Sequence, residues 1–343
     1  MSKFGAVDGA AYVIAEVGAN HNGDFELAKK HIDLAAGAGA SCVKFQAWSE
    51  RSLISKQLYE ENTTYADKKK HFGSLFEMVQ RYKFRDEWYG ELPQYCKEKG
   101  VEFATTPFSS EEVQKIAPHV TFIKIASCDL DQTSLIKEAA STGLPLVIST
   151  GMGDLGEIDA ALNSAVSSGC KDLTLLHCVS VYPCAPEEMN LRNIEALRSA
   201  FGVPVGLSDH SLGSLAAVIA TAMGVRLFEK HFTIDSSLPG WDHDMSASPA
   251  EFSDYAEKVV MTLSALGASR RIVGSKEMEK RKSFRRSAVA VRDLSAGDPL
   301  NEHDVEFLRP GTGITFGQLP AFLGLKLVSD VKAGSVLKRE HLV

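Results

Sequence analysis

The sequence predicts an α/β protein: a (β/α)8 barrel followed by a small β-rich module. Three observations predict it. Short apolar runs rich in Val, Ile and Leu alternate with helix-length segments through the first two-thirds of the chain, about eight times over. Those units fill close to the ~250 residues of a closed barrel. Nearly every run begins apolar and ends polar, as parallel strands do when their C-terminal ends meet at one functional mouth. An open doubly wound sheet is the competing architecture. Its common dinucleotide-binding form would carry GxGxxG after the first strand, and none is there.

The elements follow in order. YVIAEVG (12–18) is the first expected strand, with a helix from Phe25 to Ala38 behind it, and SCVKFQAW (41–48) is the second. A polar insertion from Ser49 to His71 precedes an amphipathic stretch from about Phe72 to Tyr82. Arg85 to Lys99 reads as one helix stopped by Gly100. VEFATTPF (101–108), a short helix at 110–116, TFIKIAS (121–127), a helix from Leu135 to Ser141 and PLVISTG (145–151) come next. A helix from Leu155 to Ser168 leads to DLTLLHC (172–178), and one near 190–200 leads to PVGLSDH (204–210). A helical run then joins PVGLSDH to RLFEKHF (226–232), the crossover unit of a parallel sheet, and a helix at 251–266 closes the barrel. The barrel domain is placed at 1–267. The basic, polar stretch 268–283 reads as a linker, and 284–343 as the β-rich module. That module carries a weak repeat: DLSAGDPLNEHDV (293–305) and DVKAGSVLKREHL (330–342) share Asp, an apolar residue, Ala-Gly and Leu at equal offsets.

Composition narrows the class. The chain has 343 residues, with 44% hydrophobic and 24% charged, ordinary values for a globular protein with a sizeable core. Its net charge of −7 argues against a general nucleic-acid binder. No apolar run approaches ~18 residues, so no membrane span is expected. The N-terminal stretch lacks a basic region followed by an unbroken apolar one, because Glu16 interrupts it, and reads as a strand and not a signal peptide. Six scattered cysteines without a CxxC pair read as reduced thiols of a cytoplasmic enzyme.

The polar strand ends are the chemical clue. They are Glu16, Lys44 with Gln46, Thr106, Lys124 with Ser127, Ser149 with Thr150, His177, Ser208 with His210, and Glu229 with His231. Residues two apart share one face of a strand, so these side chains can converge on a barrel mouth. Left unpaired there, each would cost roughly 1–3 kcal/mol, which points to a ligand that satisfies them. His210 and His231, beside Ser208, Asp209 and Glu229, suggest a metal site for Mn²⁺, Fe²⁺ or Zn²⁺; two unrelated polar residues at strand ends are the alternative. Lys44 and Lys124 among hydroxyls suit an anion such as a phosphate. A metal with open positions polarises a carbonyl or activates water, which fits lyase or condensing chemistry. A lysine Schiff-base aldolase is another barrel reading, but it needs a lysine in apolar surroundings.

IAEVGANHNGD (14–24), VKFQ (43–46), TTPF (105–108), KIAS (124–127), STGM (149–152), LHCVSVYP (176–183), GLSDH (206–210), EKHF (229–232) and LPGWDH (238–243) together resemble the sialic acid synthase family, in order and over nearly the whole chain. The terminal module with RPGTG (309–313) is similar to that family's antifreeze-protein-like (SAF, β-clip) domain. The resemblance implies condensation of phosphoenolpyruvate with an open-chain N-acetylated aminosugar, giving a nonulosonic acid and phosphate. It implies a divalent metal on His210 and His231, most often Mn²⁺, with Mg²⁺ or Co²⁺ as alternatives, and Glu16 handling a water proton. It implies a phosphoenolpyruvate pocket of Lys44, Thr106, Lys124, Ser127, Ser149, Ser180 and Ser208, and a sugar end of Gln46, Asp129, Tyr182 and Asp242. It further implies a domain-swapped homodimer in which Arg309 reaches the sugar's N-acetyl end from the partner subunit. Four departures fall near the substrate end: Cys128-Asp129 where the family commonly has Gly-Glu, Ser180 for a frequent asparagine, Trp241 with His243 in the PGWD turn, and Arg285-Arg286 where some members present an aromatic residue. They leave the choice of sugar open. Another 3-deoxy-ulosonate synthase and a non-catalytic carbohydrate-binding barrel are the alternatives. The first would need a second phosphate site, and the second would be favoured by loss of the two histidines or the two lysines, all of which are present.

Overall fold

A computed structural model describes residues 3–4, 10–64 and 73–343. The chain divides into two compact units, Met1–Gly267 and Ala268–Val343. The first is a closed barrel of eight parallel strands in sequence order. They are β1 (Tyr12–Gly18), β2 (Cys42–Ala47), β3 (Glu102–Pro107), β4 (Ile123–Ile125), β5 (Leu146–Ser149), β6 (Leu173–Cys178), β7 (Val205–Asp209) and β8 (Leu227–His231). The expected (β/α)8 architecture is therefore the observed one. Among the described residues, no helix is long and apolar enough to cross a membrane.

Alternation along each strand sorts the core into two layers. The outward faces, with Val13, Ala15, Val17, Phe45, Phe103, Ile148, Leu175, Leu207 and Phe228, pack against the surrounding helices in one large apolar cluster. The inward faces start with a separate plug of Phe4, Ile14, Cys42, Ala104, Phe122, Val147, Leu176 and Leu227. Phe4 meets the Tyr12 and Phe122 rings edge-on at 5.0 and 5.3 Å, closing the N-terminal end. One step further along each strand most inward residues turn polar, so the barrel is sealed below and polar above.

The helices lie close to their expected places, with instructive differences. Arg85 to Lys99 is a 3-10 turn, Asp86–Gly90, followed by a helix, Leu92–Glu98. Gly90 weakens the continuation and Pro93, in the first turn of the second helix, is tolerated only where no intrahelical donor is needed. The polar insertion holds two short helices, Glu50–Leu53 and Lys56–Glu61, and the amphipathic stretch forms Leu75–Tyr82. The remaining part of that expectation, residues 65–72 with Phe72, lies outside the described residues.

The second unit carries a helix, Ser275–Phe284, where a linker was expected; it has no buried side chain and hence no apolar face. Strands β9 (Ser287–Ala290) and β10 (Val305–Leu308) then pair antiparallel. The weak repeat has a structural meaning here. Leu294 and Val331 exchange backbone hydrogen bonds, both at 2.9 Å. The Ala296 N–H donates to Asp330 at 2.9 Å and the Ala333 N–H donates to Asp293 at 2.8 Å. Each copy of the motif thus caps the other, and Leu300 and Leu337 are both buried in the module's core.

Gly206, on the inward face of β7, is required by packing. A Cβ there would lie 2.6 Å from both Leu176 Cδ2 and the Leu227 carbonyl oxygen. Gly206→Val is expected to destabilise the barrel by about 3 kcal/mol, the upper end of ordinary overpacking costs, since one clash is with backbone. Denaturant unfolding checks this; an unchanged midpoint would contradict the packing described.

Candidate active site

The polar layer opens into a cavity of about 430 Å³ at the C-terminal mouth of the barrel. Thirteen of the expected site residues line it: Glu16, Lys44, Gln46, Thr106, Lys124, Ser127, Ser149, Ser180, Tyr182, Ser208, His210, His231 and Asp242. All eight strands, or the turns that follow them, contribute. The sequence order of these residues spans more than two hundred positions, so only barrel closure brings them together.

Four charges dominate the floor. Lys44 Nζ contacts Glu16 and lies 3.6 Å from Glu229 Oε2, and Lys124 Nζ lies 3.2 Å from Glu229 Oε1. Lys44 also donates to Thr106 Oγ1 at 3.1 Å, and Ser208 Oγ donates to Glu229 at 3.3 Å. Burial pushes the Glu16 carboxyl up, and Lys44 only partly offsets it. Burial also opposes ionisation of Glu229, but Lys124 and Lys44 on either side outweigh it and hold that carboxyl well below the usual range. The four charges balance. Neither lysine has the apolar setting that Schiff-base chemistry needs. Ser149 Oγ is buried without a hydrogen-bond partner among the described residues, which leaves a donor for a ligand.

The histidines stand on the adjoining wall. Their ring centroids are 5.5 Å apart, and the Tyr182 ring lies 4.1 Å from that of His210. His210 Nδ1 donates to the Val179 carbonyl at 2.8 Å, which fixes the tautomer and leaves the Nε2 lone pair bare. His231 Nδ1 is buried with no hydrogen-bond partner among the described residues. Burial, reinforced by His210, holds His231 far below the usual histidine range and therefore neutral. Burial acts on His210 in the same sense, but the Cys178 thiol, the Val179 carbonyl and Glu229 shift it upward overall. No group of three His, Cys, Asp or Glu side chains among the described residues could hold an ion alone. Two nitrogens with bare or orphaned positions on one cavity wall fit a divalent cation whose remaining positions belong to water or substrate.

The far end of the cavity is aromatic. Trp48 and Trp241 meet edge-on at 6.0 Å, with Leu53, Phe108 and Met245 beside them. Trp48 Nε1 donates to Gln46 at 3.2 Å, and Gln46 Nε2 donates to Glu16 at 3.1 Å, a relay from that wall to the charged floor. Gly18 holds φ 54°, and a Cβ there would sit 3.0 Å from Asp242. Gly151 likewise admits the Ser127 and Ser180 hydroxyls, and its N–H donates to Ser127 Oγ at 3.1 Å.

Several expected residues are elsewhere. Asp129 is buried away from the cavity, accepting from Gln132 at 3.3 Å and touching the Cys128 thiol, because the 3-10 turn Ser127–Asp129 rotates it outward. His177 and Asp209 have the opposite parity to Cys178 and Ser208. His177 bonds to the Met189 carbonyl at 2.7 Å, and Asp209 points into the helix layer. Thr150 closes on the Leu176 carbonyl. His243 is fully buried, bonded to Thr233 at 2.6 Å and to Asn22 at 3.3 Å, and so shapes the loop that presents Trp241. Arg309 belongs to the second unit, where its guanidinium lies 4.9 Å from the Phe284 ring. Cys178, Trp48, Leu53 and Phe108 line the cavity and were missed. Cys178 follows from counting by twos from Leu176; the apolar residues carry no signal that separates them from core.

Burial raises the Asp129 carboxyl from 3.8 to about 6. The folded state then binds the proton more tightly than the unfolded chain, so this group's contribution to stability falls as pH rises from 3.8 through about 6. Relative to the parent, Asp129→Asn should therefore gain thermal stability across that window and hold the gain above it. A difference in midpoint that does not change with pH would contradict the burial of Asp129.

Comparison with known proteins agrees with the barrel and the terminal module. Residues 31–271 match the NeuB family model and residues 285–343 match the SAF domain model. The chain is 34% identical over 340 residues to an N,N'-diacetyllegionaminic acid synthase of Legionella pneumophila, covering 96% of this chain and 94% of that protein. It is 32% identical over 334 residues to a pseudaminic acid synthase of Helicobacter pylori, covering 96% and 97%. Among solved structures, an N-acetylneuraminic acid synthetase from Leptospira borgpetersenii in complex with citrate superposes with a TM-score of 0.70 at 31% identity, covering 80% of this chain and 90% of that one. The chain is a member of the NeuB family with a SAF domain at its C-terminal end.

Proposed function

We propose that the barrel condenses phosphoenolpyruvate with an open-chain N-acetylated aminosugar, N-acetylmannosamine or a 2,4-diacetamido hexose, to give a sialic-acid-type nonulosonic acid and phosphate. The observation that carries this reading is the single inward layer in which Lys44, Lys124 and the hydroxyls of Ser127, Ser149, Ser180 and Ser208 share a cavity with two neutralisable histidines. Support also comes from the relatives, whose names are those of legionaminic, pseudaminic and N-acetylneuraminic acid synthases.

In this reading the phosphate and carboxylate of phosphoenolpyruvate lie against Lys44 and Lys124, with Thr106 and the serines donating to their oxygens. The acceptor aldehyde faces His210 and His231, and the sugar runs past Gln46, Tyr182 and Asp242 toward Trp241. His210 and His231 would hold a divalent ion, Mn²⁺ with Mg²⁺ or Co²⁺ as alternatives, which would supply Lewis-acid polarisation of a carbonyl oxygen. C3 of phosphoenolpyruvate attacks the aldehyde carbon and forms the new C–C bond, while the C=O π pair moves to the oxygen, which becomes a hydroxyl with a proton that the added water replaces. Water then adds at C2, with its proton passing to Glu16, whose buried carboxyl favours taking it. The C2–O bond to phosphorus breaks and phosphate leaves with the electron pair. In the same reading Arg309 reaches the sugar of a partner subunit in a cytoplasmic, domain-swapped homodimer; light scattering showing a monomer would contradict this.

Phosphate release from phosphoenolpyruvate, with products read by mass spectrometry across a panel of acceptor sugars, tests the reading. Release should require both an acceptor and a divalent metal, and a chelator should abolish it. His231→Ala should lower turnover by at least ~10²-fold, the scale of losing one electrostatic stabiliser. Release that needs neither acceptor nor metal would overturn the proposal.

A further inference from the structure

Asp209 and Lys230 each stand one residue before a cavity histidine, and neither faces the cavity. Alternation sends Ser208 and Glu229 inward and these two outward, into the layer beneath the helix Pro249–Leu266. Both are buried there, at 3% and 6% exposure. Lys230 Nζ donates to Asp209 Oδ2 at 3.3 Å and to the Ser211 carbonyl at 2.7 Å, and lies 5.0 Å from the centre of the Tyr255 ring. Asp209 Oδ1 accepts from the Ser211 N–H at 2.9 Å and from its hydroxyl at 2.6 Å. The lysine's hydrogen bonds thus tie the end of β8 to the end of β7, and Ser211 holds the aspartate that receives one of them.

The backbone register between these strands runs Leu207–Phe228, Ser208–Glu229, Asp209–Lys230, and stops. His210 and His231 lie one position beyond the last matched pair. Past that point their backbones part: the His210 carbonyl accepts from Cys184 and the His231 carbonyl from Ala247, on different segments. Among the described residues β7 and β8 pair no further than Asp209–Lys230, and His231 keeps its register with Glu16 of β1 while His210 has no such partner strand. A buried ion pair adds little net stability over an apolar pair of the same shape, so what it contributes here is direction.

We propose that Asp209 and Lys230 are positioning residues whose buried pair locks the ends of β7 and β8, so that His210 and His231 hold one divalent cation between them. This rests on the metal-binding part of the proposed function. It assigns the pair no contact with substrate and no part in the chemical steps.

Co²⁺ binding to the full chain, followed by calorimetry and by the ion's visible absorption, tests it without reference to turnover. Wild type should bind Co²⁺. Lys230→Met should weaken that affinity about 10- to 100-fold, the usual effect of removing an outer partner of a metal ligand. Phosphoenolpyruvate affinity without metal depends on Lys44 and Lys124 on β2 and β4, which are not among the partners of Lys230, and should stay within about twofold. Lys230→Arg should restore most of the loss by keeping the charge. Ser211→Ala, which removes one donor to Asp209 and leaves the ion pair, should weaken Co²⁺ binding several-fold and reads the same effect if Lys230→Met does not fold. Unaltered Co²⁺ affinity in Lys230→Met, or in Ser211→Ala where Lys230→Met does not fold, would overturn the positioning role alone. Equal losses of Co²⁺ and phosphoenolpyruvate affinity would also overturn it, by reducing the pair to general structure. Failure of wild type to bind Co²⁺ would overturn the metal reading, and this inference with it.

Discussion

The buried quartet of Glu16, Lys44, Lys124 and Glu229 is the constraint around which the barrel is organised. Four charges from four strands sit within a few ångströms of one another, nearly out of water. Removing one partner from such a set typically costs about 3–5 kcal/mol, because it strands an uncompensated charge. The arrangement survives only if every strand keeps its register, since a slip of one residue would turn these side chains into the helix layer. Barrel closure, the apolar plug beneath and Gly206 between two leucines all serve that register. The quartet also keeps the ligand-free floor neutral while leaving two lysines ready for an anion.

Much of this is legible in the chain, for a physical reason. Buried parallel strands are nearly all apolar, so a lysine or glutamate near the end of one is conspicuous. That contrast marks Glu16, Lys44, Lys124 and Glu229 as clearly as it marks the strands. What it does not mark is the face. His177, Asp209 and Thr150 look as eligible as their neighbours, and only parity separates them, which the inward apolar positions Leu176, Gly206 and Val147 reveal once they are known to be inward. Asp129 and His243 follow strand ends in turns whose rotation no periodicity encodes. Trp48, Leu53 and Phe108 escape for the converse reason: an apolar cavity wall and an apolar core have the same composition.

The second unit shows the same limit at another scale. Its repeat is faint in sequence because only a few positions must match: the aspartates that cap, the alanines whose N–H groups they accept, and the leucines that fill the core. Everything between them is free to vary. The helix Ser275–Phe284 is hidden because it buries nothing, and a helix without an apolar face has a linker's composition.

The two ends of the cavity differ in kind. The floor is charged and would suit one anion regardless of sugar, whereas the Trp48–Trp241 wall is apolar. The Trp48–Gln46–Glu16 hydrogen bonds join the two ends, and Glu16 is the carboxyl proposed to take the water proton. The chemistry assigned to that carboxyl is open to one direct measurement: turnover of phosphoenolpyruvate carrying a heavy oxygen isotope in the bridge between C2 and phosphorus, with an accepted aminosugar. Water attack at C2 predicts that all of the label leaves in inorganic phosphate. Label retained in the sugar product would mean attack at phosphorus, and would contradict the role given to Glu16 and the site built around it.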